Sequence, residues 1–327
     1  MTHGALTISA CIVLHNEAGD LPALRESLGL QSCPIDQVIF CLNGDNDAVK
    51  EVTQELFPGA TIIDQEQNLG FAGGINACLA ATDSTYVLLL NADVVLNADY
   101  VQCCLDVFDA EEQVGGVGGI LLRSKDGEDC IDTAGFVMQP WLRIVDRAAG
   151  SIDLAQFHER EAVIGVCAAA AVFSRAALDQ VAEAGAVMDE DFWMYKEDQD
   201  LCLRIKEAGW QVFFEPAAKG RHHRGWAPER RFDVPIEIRR HSLKNRYLLL
   251  TKHWRFGSHS WNLPILFLFE ILLFVGLCLR DPKVLIGYAR ALALLPKMLA
   301  KRKKLIRRFS RTKKDGITKR LATFLVV

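Results

Sequence analysis

The sequence has no C-x-x-C pair, although ten of its 327 residues are cysteine. Cys11, Cys33, Cys41, Cys78, Cys103, Cys104, Cys130, Cys167, Cys202 and Cys278 are scattered, several inside apolar runs such as Ser9-Ala10-Cys11-Ile12-Val13. This spacing speaks against a disulfide-stapled scaffold and for buried, reduced thiols in a cytoplasmic chain. Met1 to Ala5 lack the basic region, apolar run and small-residue cleavage site of a secretory signal, so none is expected. No internal repeat is visible. Charged residues make up 24% and apolar residues 50%, which excludes a disordered tail protein and a collagen. The length exceeds one comfortable core, so one large domain with an appendage, or two domains, is expected.

Charge is unevenly spread. Lys297 to Arg320 carries twelve Lys or Arg against the single acid Asp315, a local charge of +11; the net −4 of the chain therefore leaves −15 on the rest. An acidic body with a basic tail is not the pattern of a nucleic-acid-binding domain.

Leu6 to Leu14 is apolar and reads as a strand, and Asp20 with Pro22 opens a helical pattern through Leu21, Leu24 and Leu28. Gln37 to Leu42 predicts a second strand, Asp47 to Phe57 a helix ended by Pro58-Gly59, and Thr61 to Ile63 a short third strand. Gly73 to Ala81 predicts the next helix, and Tyr86 to Leu90 reads as a strand buried on both faces of a parallel sheet. Alternating strands and helices imply an open α/β sheet, whose ligands bind beyond the carboxyl ends of its strands. Asn16, Asn43 and Asn91-Ala92-Asp93 all lie just past such ends. Gly115 to Gly165 shows no clear period and reads as loops with short strands near an acceptor site.

Four stretches can carry chemistry. Asp93 follows the apolar core Val87 to Leu90 and can either close a turn or hold a hard cation, because Mg²⁺ and similar ions favour one or two carboxylates plus substrate phosphate oxygens. Asn68 to Asn76, with Gly70, Gly73 and Gly74 ahead of a helix, permits close backbone approach to a diphosphate or sugar, or is a tight turn with packing glycines. Asp189 to Leu201 combines acids with Phe192, Trp193 and Tyr195 ahead of a helix at Cys202 to Ala208. Glu197 and Asp198 fall in its first turn, where an ionised carboxylate can accept a proton from an attacking hydroxyl. Acids also favour helix starts for purely structural reasons, which leaves the aromatic cluster unaccounted for. Arg221-His222-His223-Arg224 follows the strand Val212 to Phe214, so one imidazole can join the same edge as a metal ligand or phosphate donor, or simply face solvent.

In this order the pieces resemble the family-2 glycosyltransferases with a GT-A fold, and within them the bacterial rhamnosyltransferase-like branch that builds cell-surface polysaccharide. The resemblance covers about residues 7 to 226. It is carried by Val13-Leu14-His15-Asn16 with Ser27-Leu28 and Gln31, by Asn68 to Gly74, by Leu89 to Asp93, by Phe192 to Leu201, and by Pro216 with His222-His223. It implies a Rossmann-like nucleotide-binding half within an open, mostly parallel sheet flanked by helices. By that resemblance Asn16, Asn43, Asp45, Asn68, Gly70, Gly73, Asn91 and Asp93 bind a nucleotide-sugar donor. Asp93 closes the family's D-x-D-like element and with His222 holds a divalent cation, Mg²⁺ or Mn²⁺. Asp198, second acid of the pair it forms with Glu197, is the base of an inverting displacement, and Trp193 and Tyr195 meet the acceptor. The sequence departs from the family at Leu42-Asn43-Gly44-Asp45, where an Asp usually contacts the nucleobase; Asp45, Asp47 or backbone must substitute. The strip Cys167 to Ala171, with Arg175, lacks the family's common glycine.

The expected division is a catalytic domain over 1–232 and a helical, basic, membrane-associating region over 233–327. Ile236 to Lys252 has a basic helical pattern, and Leu263 to Leu279 is apolar except for Pro264, Glu270 and Gly276. That run is near the minimum length of a membrane span, and a carboxylate at its middle would cost roughly 2–3 kcal/mol, which favours an in-plane or hairpin helix. Val284 to Leu299 is amphipathic, and the cluster Lys301-Arg302-Lys303-Lys304 with Arg307-Arg308 would attract anionic lipids at about 1 kcal/mol per charge. The expectation is a peripheral enzyme at the inner face of the bacterial cytoplasmic membrane, moving L-rhamnose from dTDP-rhamnose to a lipid-linked or polysaccharide acceptor. Galactofuranose, mannose or N-acetylglucosamine transfer, a silent nucleotide-binding scaffold and a nucleotidyltransferase are the alternatives; the last lacks a Lys-rich phosphate loop near the first strand.

Overall fold

The computed structural model describes residues 6–224, 231–254 and 262–309. The part of the basic tail from Arg311 to Arg320 lies outside them.

The chain begins as a run of strand–helix units: β1 (Ile8–Leu14), α1 (Leu21–Gly29), β2 (Gln37–Asn43), α2 (Asp47–Leu56), β3 (Thr61–Gln65), α3 (Gly70–Ala80) and β4 (Tyr86–Asn91). These strands pair in parallel in the order β3-β2-β1-β4. Their apolar residues are buried from both sides: Ala10, Ile12 and Leu14 face one cluster with Leu21, Leu24 and Phe40, whereas Cys11, Ile39 and Leu89 face another with Ile75 and Cys78. A short β5 (Val94–Leu96) and α4 (Tyr100–Ala110) follow.

The second half extends the sheet with mixed polarity. It comprises β6 (Val114–Lys125), β7 (Glu128–Thr133), the small hairpin of β8 (Phe136–Met138) and β9 (Ile144–Asp146), then β10 (Glu161–Ala162), β11 (Ala170–Ser174), α5 (Arg175–Val181), α6 (Glu197–Glu207) and β12 (Gln211–His222). Strand β11 is antiparallel to both β4 and β6, and β12 runs parallel to β6. The main sheet order is β10-β12-β6-β11-β4-β1-β2-β3.

Three expectations are corrected here. The stretch after Gly115 is not loop: β6 is a twelve-residue strand inside the sheet. Its glycines hide the pattern because close packing requires them; a Cβ on Gly116 would lie 2.8 Å from the Phe173 ring and one on Gly119 only 1.9 Å from the Ala218 carbonyl. Helix α3 starts at Gly70, three residues earlier than its periodicity implied, so Gly73 and Gly74 lie inside it, packed on Leu69 and Val13. Strand β12 does not stop at Phe214; it passes Pro216 through a register shift and carries His222 at its end.

The C-terminal helices are α7 (Ile236–His253), α8 (Leu263–Arg280) and α9 (Ile286–Phe309). Helix α9 folds back on the α/β body: Met298 packs with Phe136 and Phe192, and Leu305 and Phe309 join the core of the main sheet. Helix α8 is different: it is apolar along its length, yet of its residues only Leu277 is buried.

Candidate active site

The carboxyl ends of β4 and β12 meet at β5, where Val94 pairs with His222. The His223 amide donates to the Asp93 carbonyl at 2.7 Å, which holds the turn after β4 against the end of β12. His222 Nε2 consequently lies 3.3 Å from Asp93 Oδ1, while its Nδ1 lies 2.8 Å from Asp132 Oδ2. Asp132 is almost wholly buried and also receives Arg224 Nε at 2.6 Å. Burial opposes protonation of His222, but its bonds to Asp132 and Asp93 outweigh that, and its pKa is raised. Asp132 went unrecognised in the sequence; as a lone acid in a stretch without period it gave no signal beyond its place between Ile131 and Thr133.

Asp198 enters from the other side. Its Oδ1 accepts from the Gln199 amide at 2.8 Å and its Oδ2 from the Ala168 amide at 3.3 Å. The next residue of the small strip, Ala169, accepts the Asn91 amide at 2.9 Å. One dipeptide, Ala168-Ala169, thus ties the carboxylate of Asp198 to the Asn91-Ala92-Asp93 turn. Burial pushes the Asp198 carboxyl above the usual range, and the amides of Gln199 and Ala168 pull it partly back. Burial, and then the Asp198 charge, push Glu197 up to about 8; its Oε2 is buried with no hydrogen-bond partner.

The segment before α6 has unusual backbone. Trp193, Tyr195 and Lys196 all adopt the left-handed region, with φ of 65°, 67° and 69°. Such angles re-aim consecutive side chains at a cost that surrounding contacts must offset. Trp193 stacks on His241 at 4.8 Å and Tyr195 is exposed. The Trp193 carbonyl accepts the Ala72 amide at 3.1 Å, and a Cβ on Gly70, whose φ is +71°, would lie 2.4 Å from that carbonyl. Gly70 is therefore where the start of α3 meets the aromatic segment.

The remaining expected residues lie at or beyond the ends of β1 and β2 and at the start of α3. Asn43 is buried and its amide is fully used: Nδ2 donates to Asn68 Oδ1 and the Gly70 carbonyl, and Oδ1 accepts the Leu69 amide at 2.7 Å. It fixes the Asn68–Gly70 turn rather than presenting a free group. Asn16 and Asp45 are exposed beyond β1 and β2, and Asn16 Oδ1 accepts Asn46 Nδ2 at 3.0 Å. Leu42 is buried. Gly73 lies within α3, against Leu69.

Among the described residues no group of three or more His, Cys, Asp or Glu side chains converges as a closed metal cage. The Asp93–His222 pair fits a different kind of site, in which one carboxylate and one imidazole with its far nitrogen anchored to a carboxylate leave the other positions to substrate oxygens.

A parallel nucleotide-binding-type half sheet, an acid–imidazole pair at its carboxyl edge and a carboxylate at the opposing helix start define the GT-A class of sugar-nucleotide transferases. Residues 9–182 match the family model for glycosyl transferase family 2, and the chain belongs to that family. It is a glycosyltransferase. It is 24% identical over 277 residues to N-acetylglucosaminyl-diphospho-decaprenol L-rhamnosyltransferase of Mycobacterium tuberculosis, covering 77% of this chain and 86% of that protein. Its fold is similar to that of GalNAc-T7, solved with UDP, GalNAc and Mn²⁺, at TM-score 0.60 and 13% identity over 78% of this chain; the chain spans about half of that one, 49%. It is also similar to the mannosyltransferase PcManGT from Pyrobaculum calidifontis, in complex with GDP-Man and Mn²⁺, at TM-score 0.52 and 14% identity, covering 94% and 87% of the two chains.

Proposed function

We propose that this enzyme transfers L-rhamnose from dTDP-rhamnose, with inversion, to a lipid-linked acceptor carrying N-acetylglucosamine at the inner face of the bacterial cytoplasmic membrane. The observation that carries the reading is the Ala168-Ala169 bridge, which holds the Asp198 carboxylate opposite the Asp93 turn. Asp198 takes the proton from an acceptor hydroxyl as its oxygen attacks the anomeric carbon; the bond to the diphosphate breaks on the opposite face. Asp93 and His222 would hold a divalent cation, Mg²⁺ or Mn²⁺, which when bound would neutralise charge on the diphosphate. The rim of Asn16, Asp45, Asn68, Gly70 and Asn91, braced by Asn43 and Gly73, receives the donor. Trp193 and Tyr195 offer apolar faces to the acceptor sugar.

Membrane docking is supported by α8 and α9. Phe267, Leu268, Leu272, Phe274 and Leu279 are at least half exposed on α8, and Leu292 and Leu299 continue the exposed apolar surface on α9. Glu270 is neutralised on the inward side: Arg246 donates to it at 2.5 and 3.0 Å and Tyr247 through its hydroxyl. A groove of about 910 Å³ lies between residues 182–191 and α9, lined by Lys304, Arg307 and Arg308 as well as by Asp189, Glu190 and Asp191. This arrangement suits a helix lying in the membrane plane.

The test is release of nucleoside diphosphate from a panel of nucleotide sugars, with Mg²⁺ or Mn²⁺ and polyprenyl-diphosphate-linked N-acetylglucosamine as acceptor, and with Asp93→Ala as control. Release that is selective for dTDP-rhamnose, metal-dependent and lost in Asp93→Ala supports the reading. Selectivity for another donor overturns the choice of sugar.

A further inference from the structure

We propose that Asn245, on the C-terminal helix α7, is a positioning residue for catalysis: it locks the backbone of residues 192–196 and thereby aims the carboxylate of Asp198. The proposal rests on the reading of Asp198 as the base.

Three of the four residues before α6 sit in the left-handed region without being glycine. The first two residues of α6 are Glu197 and Asp198, and its N-cap, Lys196, supplies no side-chain hydrogen bond to the helix start. Something outside the segment must therefore hold it. Asn245 is fully buried, and its Nδ2 lies 2.8, 2.8 and 2.7 Å from the carbonyl oxygens of Phe192, Met194 and Tyr195. A single amide thus reaches from Phe192 to Tyr195, sharing two hydrogens among three acceptors. Its neighbours on α7 face the same way: His241 stacks on Trp193, Ser242 lies 3.4 Å from Lys196 Nζ, and Lys244 Nζ donates to the Asp191 carbonyl at 2.6 Å.

The chemistry of the position argues for a dedicated donor. Asn245 is flanked by the apolar contacts of Leu248 and Leu249 with Phe192 and Met298, and an aliphatic residue in its place would deprive three carbonyl oxygens of this donor. Its Oδ1 is buried without a hydrogen-bond partner, so the side chain is retained there for its amide hydrogens alone. The hydrogen bonds of Asn245 go to Phe192, Met194 and Tyr195, so its effect reaches the reaction through this segment and then Asp198.

The test compares Asn245→Ala and Asn245→Leu with Leu249→Ala in the full-length enzyme. Leu249→Ala loosens the same helix contact without removing a hydrogen bond to the segment. Four quantities are read: kcat, donor KM, melting temperature, and amide hydrogen exchange over 192–198. Both Asn245 variants are expected to lose at least tenfold in kcat, keep donor KM within twofold and exchange faster over 192–198. Leu249→Ala is expected to melt lower while keeping kcat within twofold. Wild-type kcat or wild-type exchange in Asn245→Leu, or kcat losses that track melting temperature in all three variants, overturns the proposal. Asp198→Asn separates the two readings: turnover in that variant would remove the base assignment, while the exchange data would still decide whether Asn245 holds the segment.

Discussion

Asp132 and His222 are joined through the imidazole Nδ1 at 2.8 Å, and that bond decides which nitrogen faces Asp93. With Nδ1–H donating to Asp132, Nε2 can offer its lone pair to a cation beside Asp93. When no cation binds, the raised pKa of His222 lets a second proton sit there, bridging the two carboxylates. Proton and metal then compete for one nitrogen. Asp132→Asn is expected to weaken Mn²⁺ binding by about 10–100-fold, the usual cost of losing the carboxylate behind a ligating histidine. Titration of Mn²⁺ followed by electron paramagnetic resonance, with dTDP present, measures this directly; unchanged affinity would show that Asp132 serves packing alone.

Gly70 is the most confined position of the proposed donor rim. A methyl group there meets the Trp193 carbonyl and ring, and the φ of +71° disfavours any L side chain. Gly70→Ala is expected to destabilise the fold by about 1–3 kcal/mol. It should also lower kcat, because the aromatic segment has to move. Thermal melts and initial rates on the same preparation check both effects.

Glu197 gives a pH signature. Its carboxyl is raised from 4.5 to about 8 by burial and the adjacent Asp198, so the folded state binds its proton more tightly than the unfolded chain does. Its favourable contribution is complete below pH 4.5 and is lost as pH rises toward 8. Glu197→Gln removes that loss, and its melting temperature should gain on the wild type progressively between pH 4.5 and 8. At roughly 2–4 °C per kcal/mol for a chain of 150–250 residues, and less for this longer one, the gain should reach a few degrees. A pH-independent difference would contradict the assignment.

Membrane attachment is best tested by surface substitutions, because removing residues 263–327 would also strip Met298, Leu305 and Phe309 from the core. Phe267→Ser with Leu272→Ser removes two side chains that are more than 60% exposed. The double variant should keep its melting temperature and donor affinity yet bind vesicles of phosphatidylglycerol at least tenfold more weakly in flotation. Vesicle binding equal to wild type would place the contact elsewhere.

The sequence was legible where burial makes strands continuously apolar. Strands β1, β2 and β4 and the turn at Asp93 stand out because both faces of that half sheet are covered. Strand β6 was not legible, since Gly115, Gly116, Gly118 and Gly119 replace the side chains that would have marked its period, each making room for a close neighbour. The acids of α6 were visible as a cluster, but the left-handed backbone that aims them depends on α7, which is distant in sequence. Asn245 and Asp132 act through partners 50 or more and 90 residues away, so local pattern could not reveal either.

The most direct measurement is rhamnosyl transfer from dTDP-rhamnose to polyprenyl-diphosphate-linked N-acetylglucosamine by wild type and Asp198→Asn, with donor affinity measured on both and the product anomer read by NMR. The expected result is an inverted anomer from wild type, and loss of at least a thousandfold in kcat with unchanged donor affinity for Asp198→Asn. Retained configuration, or turnover near wild type in that variant, would contradict an inverting reaction driven by Asp198.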